Sequence, residues 1–290
     1  MVYQKTKASL RQQGLAPQKA LGQNFLVHQH TAEHIVDLAQ VEPDETLIEI
    51  GVGLGALTRP LAVQAARVIG IEADSGIIRM HAREGDLPDN VSLRHGDILK
   101  TDLQELWRET GQRLKIVANL PYSISSPFLF HLIAHHPYIE QAVVMLQKEV
   151  AQRLLAQPGT KQYGAPTVLL ASCASVSSLL LVKPEEFHPR PKIDSLVIRL
   201  TFYPVPERVQ QLPDFEHQLF KRIVNAAFNQ RRKTLLNSLA SHFILLKKPA
   251  IQACIEQAGL LPSIRPERLR LEDFVQLSRS FADGMKPDFS

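Results

Sequence analysis

Three glycines within five residues, set between an apolar run and a helical stretch, constrain this chain more than any other feature. The stretch from Thr46 to Thr58 reads Thr-Leu-Ile-Glu-Ile-Gly-Val-Gly-Leu-Gly-Ala-Leu-Thr. Leu47, Ile48 and Ile50 form a short apolar run, as in a parallel strand buried on both faces. Gly51, Gly53 and Gly55 turn the backbone and let it pass beneath a ligand with no Cβ between them. A helix is predicted from Ala56 to Ala62, and its N-terminus would offer free N–H groups and a positive dipole end. Three readings stay open: a plain strand-to-helix turn, a dinucleotide fingerprint through Gly51-x-Gly53-x-x-Ala56, or a site for another nucleoside-bearing ligand.

Apolar runs follow at Arg67–Ile71, Val91–Arg94, Leu114–Ala118 and Ala142–Leu146, with helical stretches near 55–65, 75–84, 102–110 and 127–135. This alternation predicts a doubly wound α/β domain with a parallel sheet, whose ligands bind outside the carboxyl ends of the strands. Each strand end is therefore read for chemistry. The second ends in Ile71-Glu72-Ala73-Asp74, and Glu72 lies roughly 20 residues past the glycines, where an acid binds ribose hydroxyls. A solvated surface acid is the alternative. The third ends in His95-Gly96-Asp97-Ile98; Asp97 suits the exocyclic amine of adenine, or else caps the helix near 102, a task open to Thr101 or Asp102. The fourth ends in Asn119-Leu120-Pro121-Tyr122. An Asn amide oxygen accepts from an exocyclic –NH2, Pro121 stiffens the loop and removes a donor, and the Leu120 carbonyl can face the same amine. Tyr122 supplies a flat ring for base stacking, against the alternative of an ordinary Asn-Pro turn.

The flanking segments add less. Residues 1–18 read as a flexible basic arm; residues 1–26 hold Lys5, Lys7, Arg11 and Lys19 and no acid. His28, His30 and His34 have no Cys or Glu within the turn to complete a metal site, so no metal is expected and they read as partly exposed helix histidines. Thr31 is the expected N-cap of a helix running to Ala39. Gln147 to Ala156 and Gly164 to Ser175 read as helices, and Ser175 to Val182 and Ser195 to Phe202 as two strands that add an antiparallel pair to the sheet. Phe187, in the Pro-rich loop between them, is either a stacking ring or a side chain tucked against the core. Pro204 and Pro206 mark a boundary, and 207–290 reads as all helix. The net charge is only +4, so its distribution matters more than its sum. Arg231-Arg232-Lys233 is a basic cluster, either a solvated helix face or a phosphate contact. Cys173 and Cys254 fit no metal or redox spacing and read as buried thiols of a reducing cytosol. No apolar run approaches the ~20 residues of a membrane span.

Taken together, the glycine loop, Glu72, Asp97 and Asn-Leu-Pro-Tyr resemble S-adenosylmethionine-dependent N6-adenine methyltransferases. Leu21-Gly-Gln-Asn-Phe-Leu26 resembles the N-terminal cofactor motif of rRNA adenine dimethyltransferases, and Phe187-His-Pro-Arg-Pro-Lys-Ile-Asp-Ser195 their late Phe-x-Pro-x-Pro-x-Val-x-Ser loop, with Ile193 for Val. Ala227-Phe-Asn-Gln-Arg-Arg-Lys-Thr-Leu235 is similar to a segment of the small-subunit (16S) branch, the kasugamycin-resistance dimethyltransferases. The resemblance runs from about Lys19 to Phe274. It implies a Rossmann-like α/β sheet, mostly parallel with an antiparallel last strand, over residues 19–204, and a small all-helical RNA-binding domain over 205–290. It implies S-adenosyl-L-methionine held by Asn24, Leu26, Gly51, Glu72, Asp97 and Asn119. Catalysis would rest on Asn119, Leu120, Tyr122 and Phe187, with RNA contacts from Arg231, Arg232 and Lys233. The implied substrate is two adjacent adenosines in the 3′-terminal hairpin loop of small-subunit rRNA, within a 30S precursor. The implied setting is the cytoplasm, with a monomeric protein and no membrane.

Three rivals stay in view. A large-subunit rRNA adenine methyltransferase of the macrolide-resistance type usually shows Ile where this chain has Leu120. An NAD-dependent oxidoreductase needs a Tyr-x-x-x-Lys or a His–acid pair near the strand ends, and neither is found. A non-catalytic ribosome-assembly factor would keep the fold without needing Asn119 and Tyr122.

Overall fold

The computed structural model describes residues 24–230 and 232–284. The arm at 1–18, the first residues of the Leu21–Leu26 motif, and Arg231 lie outside the described residues. Among the described residues the chain forms two compact units, one holding those up to Ala151 with Ala174–Pro204, the other Gln152–Cys173 and those from Val205 onward.

The first unit is built on a sheet of seven strands: β2 (Thr46–Ile50), β3 (Arg67–Glu72), β4 (Val91–His95), β5 (Leu114–Asn119), β6 (Ile139–Gln147), β7 (Ser175–Val182) and β9 (Ser195–Thr201). Their order is β4-β3-β2-β5-β6-β9-β7. The first five are parallel; β9 runs antiparallel to β6, and β7 antiparallel to β9. Separately, β1 (Phe25–Leu26) pairs antiparallel with β8 (Phe187–His188). The central strands read as apolar runs because helices cover both faces: Leu47, Ile48 and Ile50 are all buried, each worth about 1.5–3 kcal/mol over exposure.

The helices between them start where a short side chain can satisfy an otherwise orphaned N–H. Asp74 accepts from Gly76 N (2.8 Å) to open Ser75–Glu84, and Asp102 accepts from Gln104 N (2.8 Å) to open Leu103–Thr110. Gly85 and Gly111 close these two helices in the left-handed conformation. The expected cap at Thr31 is corrected. The helix is Gln29–Ala39, His28 holds the cap position, and the Thr31 hydroxyl is buried and donates to Glu186 Oε2 at 2.6 Å. A distant carboxylate outcompetes the local backbone for that hydroxyl. The helix after the glycines also starts later than expected and is short, Thr58–Gln64.

Among its described residues the second unit carries helices and no strand. Ala165–Ala171 packs on His217–Phe228, and the Tyr163 ring stands edge-on to Phe228 at 5.9 Å. That packing groups Gln152–Cys173 with the helical unit, although sequence order had suggested a single division near residue 204.

Candidate active site

Chain direction changes sides of the sheet between β2 and β5, which lie side by side. Parallel strands point one way, so the ends of β2, β3, β4 and β5 open on one edge, and the crevice at such a switch point receives ligands. A pocket lies there, lined among others by Asn24, Leu26, Glu49, Gly51, Glu72, Asp97, Asn119 and Leu120. All six residues expected to hold the cofactor are thus brought together.

The glycine loop is tied down by its own neighbours. Gly51 N donates to Ile71 O (2.9 Å), Gly53 N to Glu72 Oε2 (3.0 Å) and Gly55 N to Val52 O (3.0 Å). With these N–H groups engaged, the loop lacks the row of free donors that a pyrophosphate needs. Gly51 has φ +78°, and a Cβ there would sit 3.1 Å from the Asn119 carbonyl oxygen, so only glycine lets β2 and β5 end this close. Gly70, inside β3, was not singled out by the sequence. A Cβ on it would meet Val52 Cγ2 at 2.6 Å and Leu93 Cδ2 at 2.8 Å, so its missing side chain is the seat for the loop. His81 completes the support: Nε2 donates to Gly53 O at 2.9 Å, and Nδ1 meets Asp86 Oδ1 at 2.7 Å.

Glu72 is 6 % exposed, which excludes a solvated surface acid. Burial pushes its pKa up, and the N–H groups of Gly53 and Asp74 pull it back. Its Oε1 accepts from Asp74 N at 2.8 Å while Oε2 holds Gly53. Glu72→Ala leaves both N–H groups without their acceptor, at about 1–3 kcal/mol each. S-Adenosylmethionine affinity is expected to fall roughly 10–100-fold in calorimetry; unchanged affinity would remove Glu72 from the cofactor site. Asp97 does cap, but only the short turn Ile98–Lys100, where Oδ1 accepts from Leu99 N (3.0 Å). The helix near 102 is served by Asp102, and Asp97 stays exposed at the pocket.

At the end of β5, Asn119 Nδ2 donates to the Asn24 carbonyl at 3.4 Å. A carbonyl can only accept, so this contact orients the amide and leaves Oδ1 as the acceptor. Tyr122 opens the turn Tyr122–Ile124, half-buried, with its hydroxyl 2.8 Å from Ser195 Oγ. Burial raises the Tyr122 pKa and the Ser195 hydrogen bond lowers it, so the phenol stays neutral at physiological pH. That bond joins the Asn-Leu-Pro-Tyr turn to the last residue of the late Pro-rich motif. Ser195 carried no assigned role in the sequence reading, because nothing local says which phenol it meets.

Phe187 requires a correction. It is 3 % exposed, pairs with Leu26 across β1 and β8, and packs in a cluster with Leu26, Val182 and Val197. It therefore has no free face for a base; of the two readings the core one holds. Arg232 and Lys233 lie exposed in the second unit.

The pocket is lined by three carboxylic acids, Glu49, Glu72 and Asp97, and by no Lys or Arg among the described residues. Such a lining repels a pyrophosphate and suits a cation on an adenosine frame, which is what S-adenosylmethionine is. Fold and pocket define an S-adenosylmethionine-dependent methyltransferase. The family model described as ribosomal RNA adenine dimethylase matches residues 15–283, and the chain belongs to that family. It is 52 % identical to the ribosomal RNA small subunit methyltransferase A of Desulfotalea psychrophila, over 98 % of this chain and 97 % of that protein. It is 40 % identical to the protein of the same name from Geobacter metallireducens, over 93 % and 98 %. Among solved structures, a dimethyladenosine transferase from Plasmodium falciparum superposes with TM-score 0.71 at 26 % identity, over 90 % of this chain and 98 % of that one.

Proposed function

We propose that this protein dimethylates N6 of two adjacent adenosines in the 3′-terminal hairpin loop of small-subunit rRNA, acting on a 30S precursor. The observation that carries the chemistry is the Asn119 amide, turned by Asn24 so that Oδ1 is left to accept. S-Adenosylmethionine supplies an electrophilic methyl group on sulfur. The nucleophile, adenine N6, is weak because its lone pair is delocalised into the ring. Asn119 Oδ1 and the Leu120 carbonyl accept its hydrogens and draw the nitrogen toward tetrahedral geometry. No carboxylate base is required, because the N–H becomes strongly acidic as the N–C bond forms and its proton passes to solvent. Tyr122, its hydroxyl fixed by Ser195, holds the splayed-out base by stacking, worth about 1–3 kcal/mol. Much of the acceleration is orientation.

The small-subunit assignment follows the names of the two bacterial relatives above and Leu120 in the Asn-Leu-Pro-Tyr turn, where the macrolide-resistance type usually has Ile. No helix among the described residues is long and apolar enough to cross a membrane. Assembly binding can coexist with catalysis. Mass spectrometry of rRNA from a deletion strain should show two adjacent unmethylated adenosines, restored by the intact chain. Normal dimethylation without the gene would overturn the reading.

The basic cluster is assigned to phosphate contact, with the basic arm. Replacing Arg231, Arg232 and Lys233 with Ala should weaken RNA binding and flatten its salt dependence by up to ~0.9 log units per lost contact. Cofactor affinity should be unaffected. An unchanged salt slope would return the cluster to an ordinary solvated surface.

A further inference from the structure

Glu49 is the one acidic residue of β2, set inside an apolar run. It lines the cofactor pocket, is 1 % exposed, and neither carboxyl oxygen has a hydrogen-bond partner among the described residues. A bare carboxylate in such a place is held at several kcal/mol of penalty, so a buried acid without partners keeps its proton. The neighbouring strands offer it no charge: its register partners are Gly70 on β3 and Val117 on β5. Glu72, near the end of β3, faces it as a second acid. From the helix Thr58–Gln64 come Thr58, whose hydroxyl is near without reaching hydrogen-bond geometry, and Arg59, which is bound to Asp86. Burial pushes the Glu49 pKa up to about 8; Glu72 adds to the rise, and Thr58 and Arg59 oppose it.

We propose that Glu49 is a proton-linked counter-charge: neutral in the free protein, it ionises when the cationic methionine end of S-adenosylmethionine enters the pocket, and its proton leaves to solvent. The inference rests on the cofactor assignment above. Only an O–H bond breaks; the carboxylate left behind is offset by the incoming cation, so the net charge of the site is little changed. An acid held neutral until a cation arrives avoids leaving an uncompensated charge in an empty pocket, which a permanently ionised acid would do. It also makes the site selective for charged over neutral adenosine ligands.

Calorimetry of the full chain tests this directly. Titration with S-adenosylmethionine at pH 6.5, below the α-amino pKa of about 7.7–8.0, keeps the ligand's ammonium protonated throughout. Repeating it in buffers of different ionisation enthalpy should reveal release approaching one proton per site. Affinity should rise by up to about tenfold per pH unit between pH 6 and 7. Neutral 5′-methylthioadenosine should release none, and Glu49→Gln should abolish both the release and the pH slope. Cofactor binding without buffer-dependent heat, equal release with 5′-methylthioadenosine, or release retained in Glu49→Gln would each overturn the proposal. Absence of any S-adenosylmethionine binding would instead overturn the cofactor assignment, and this inference with it. A ligand-free measurement stands apart from binding. Because the folded pKa is raised, stability from this group is full below about pH 4.5 and declines as pH rises toward 8. The thermal midpoint of Glu49→Gln should lack that decline; identical pH profiles for the two proteins would also defeat the proposal.

Discussion

Asn119→Ala is expected to slow methyl transfer by roughly 10²–10³-fold, the effect of deleting one preorganised polar group from an active site. The loss should appear in both the first and the second methyl addition. In the first step Oδ1 and the Leu120 carbonyl share two N–H groups of the target. In the second only one N–H remains, and the better-placed acceptor must be correspondingly more important. The variant should still fold. Asn119 is only partly buried, and the close approach to Gly51 is made by its main-chain carbonyl, which alanine retains. Cofactor affinity should fall less than rate, because the side chain is one of several lining the pocket. Single-turnover assays with unmodified and monomethylated adenosine, separated by chromatography, read both steps. A rate equal to the intact protein's would remove Asn119 from the chemistry and leave the Leu120 carbonyl as the sole acceptor.

Phe187→Ala is expected to destabilise the first unit by about 3–5 kcal/mol, since a ring buried among Leu26, Val182 and Val197 leaves a cavity. The pairing of β8 with β1 would loosen with it, and Asn24 and Leu26 at the pocket belong to that segment. Activity should therefore fall as a consequence of lost structure. Phe187→Leu separates the two roles proposed for this residue. It keeps most of the volume, at a cost of less than about 1.5 kcal/mol, but has no aromatic face. Near-normal melting and methylation by Phe187→Leu would agree with a core role. Normal melting with a lost second methylation would restore the stacking reading instead.

The strand-end residues were legible in the sequence because their positions follow from local pattern and chain direction. Once Leu47–Ile50, Arg67–Ile71 and Leu114–Ala118 are parallel strands, Gly51, Glu72 and Asn119 fall on one edge without further information. Spacing sufficed there because each residue sits at the terminus of an element that its own neighbours specify. Asp97 was read with two roles, and it has both a capping bond and a place at the pocket; its chemistry allows either.

Other assignments depended on partners far away in sequence. Thr31 reads as a cap until Glu186 arrives to take its hydroxyl, and Phe187 reads as a loop aromatic until β1 and β8 pair over it. Ser195 and Tyr122, 73 residues apart, meet only because β9 inserts between β6 and β7. Glu49 was visible as a lone acid in an apolar strand, a signal in itself. Whether such an acid finds a partner is decided by what packs around it, and among the described residues neither Glu49 oxygen has a hydrogen-bond partner. The sequence by itself determined the sheet, the glycine turn and the strand-end chemistry, because these are local. Tertiary structure alone decided burial and pairing, because each depends on which distant atoms replace water around a side chain.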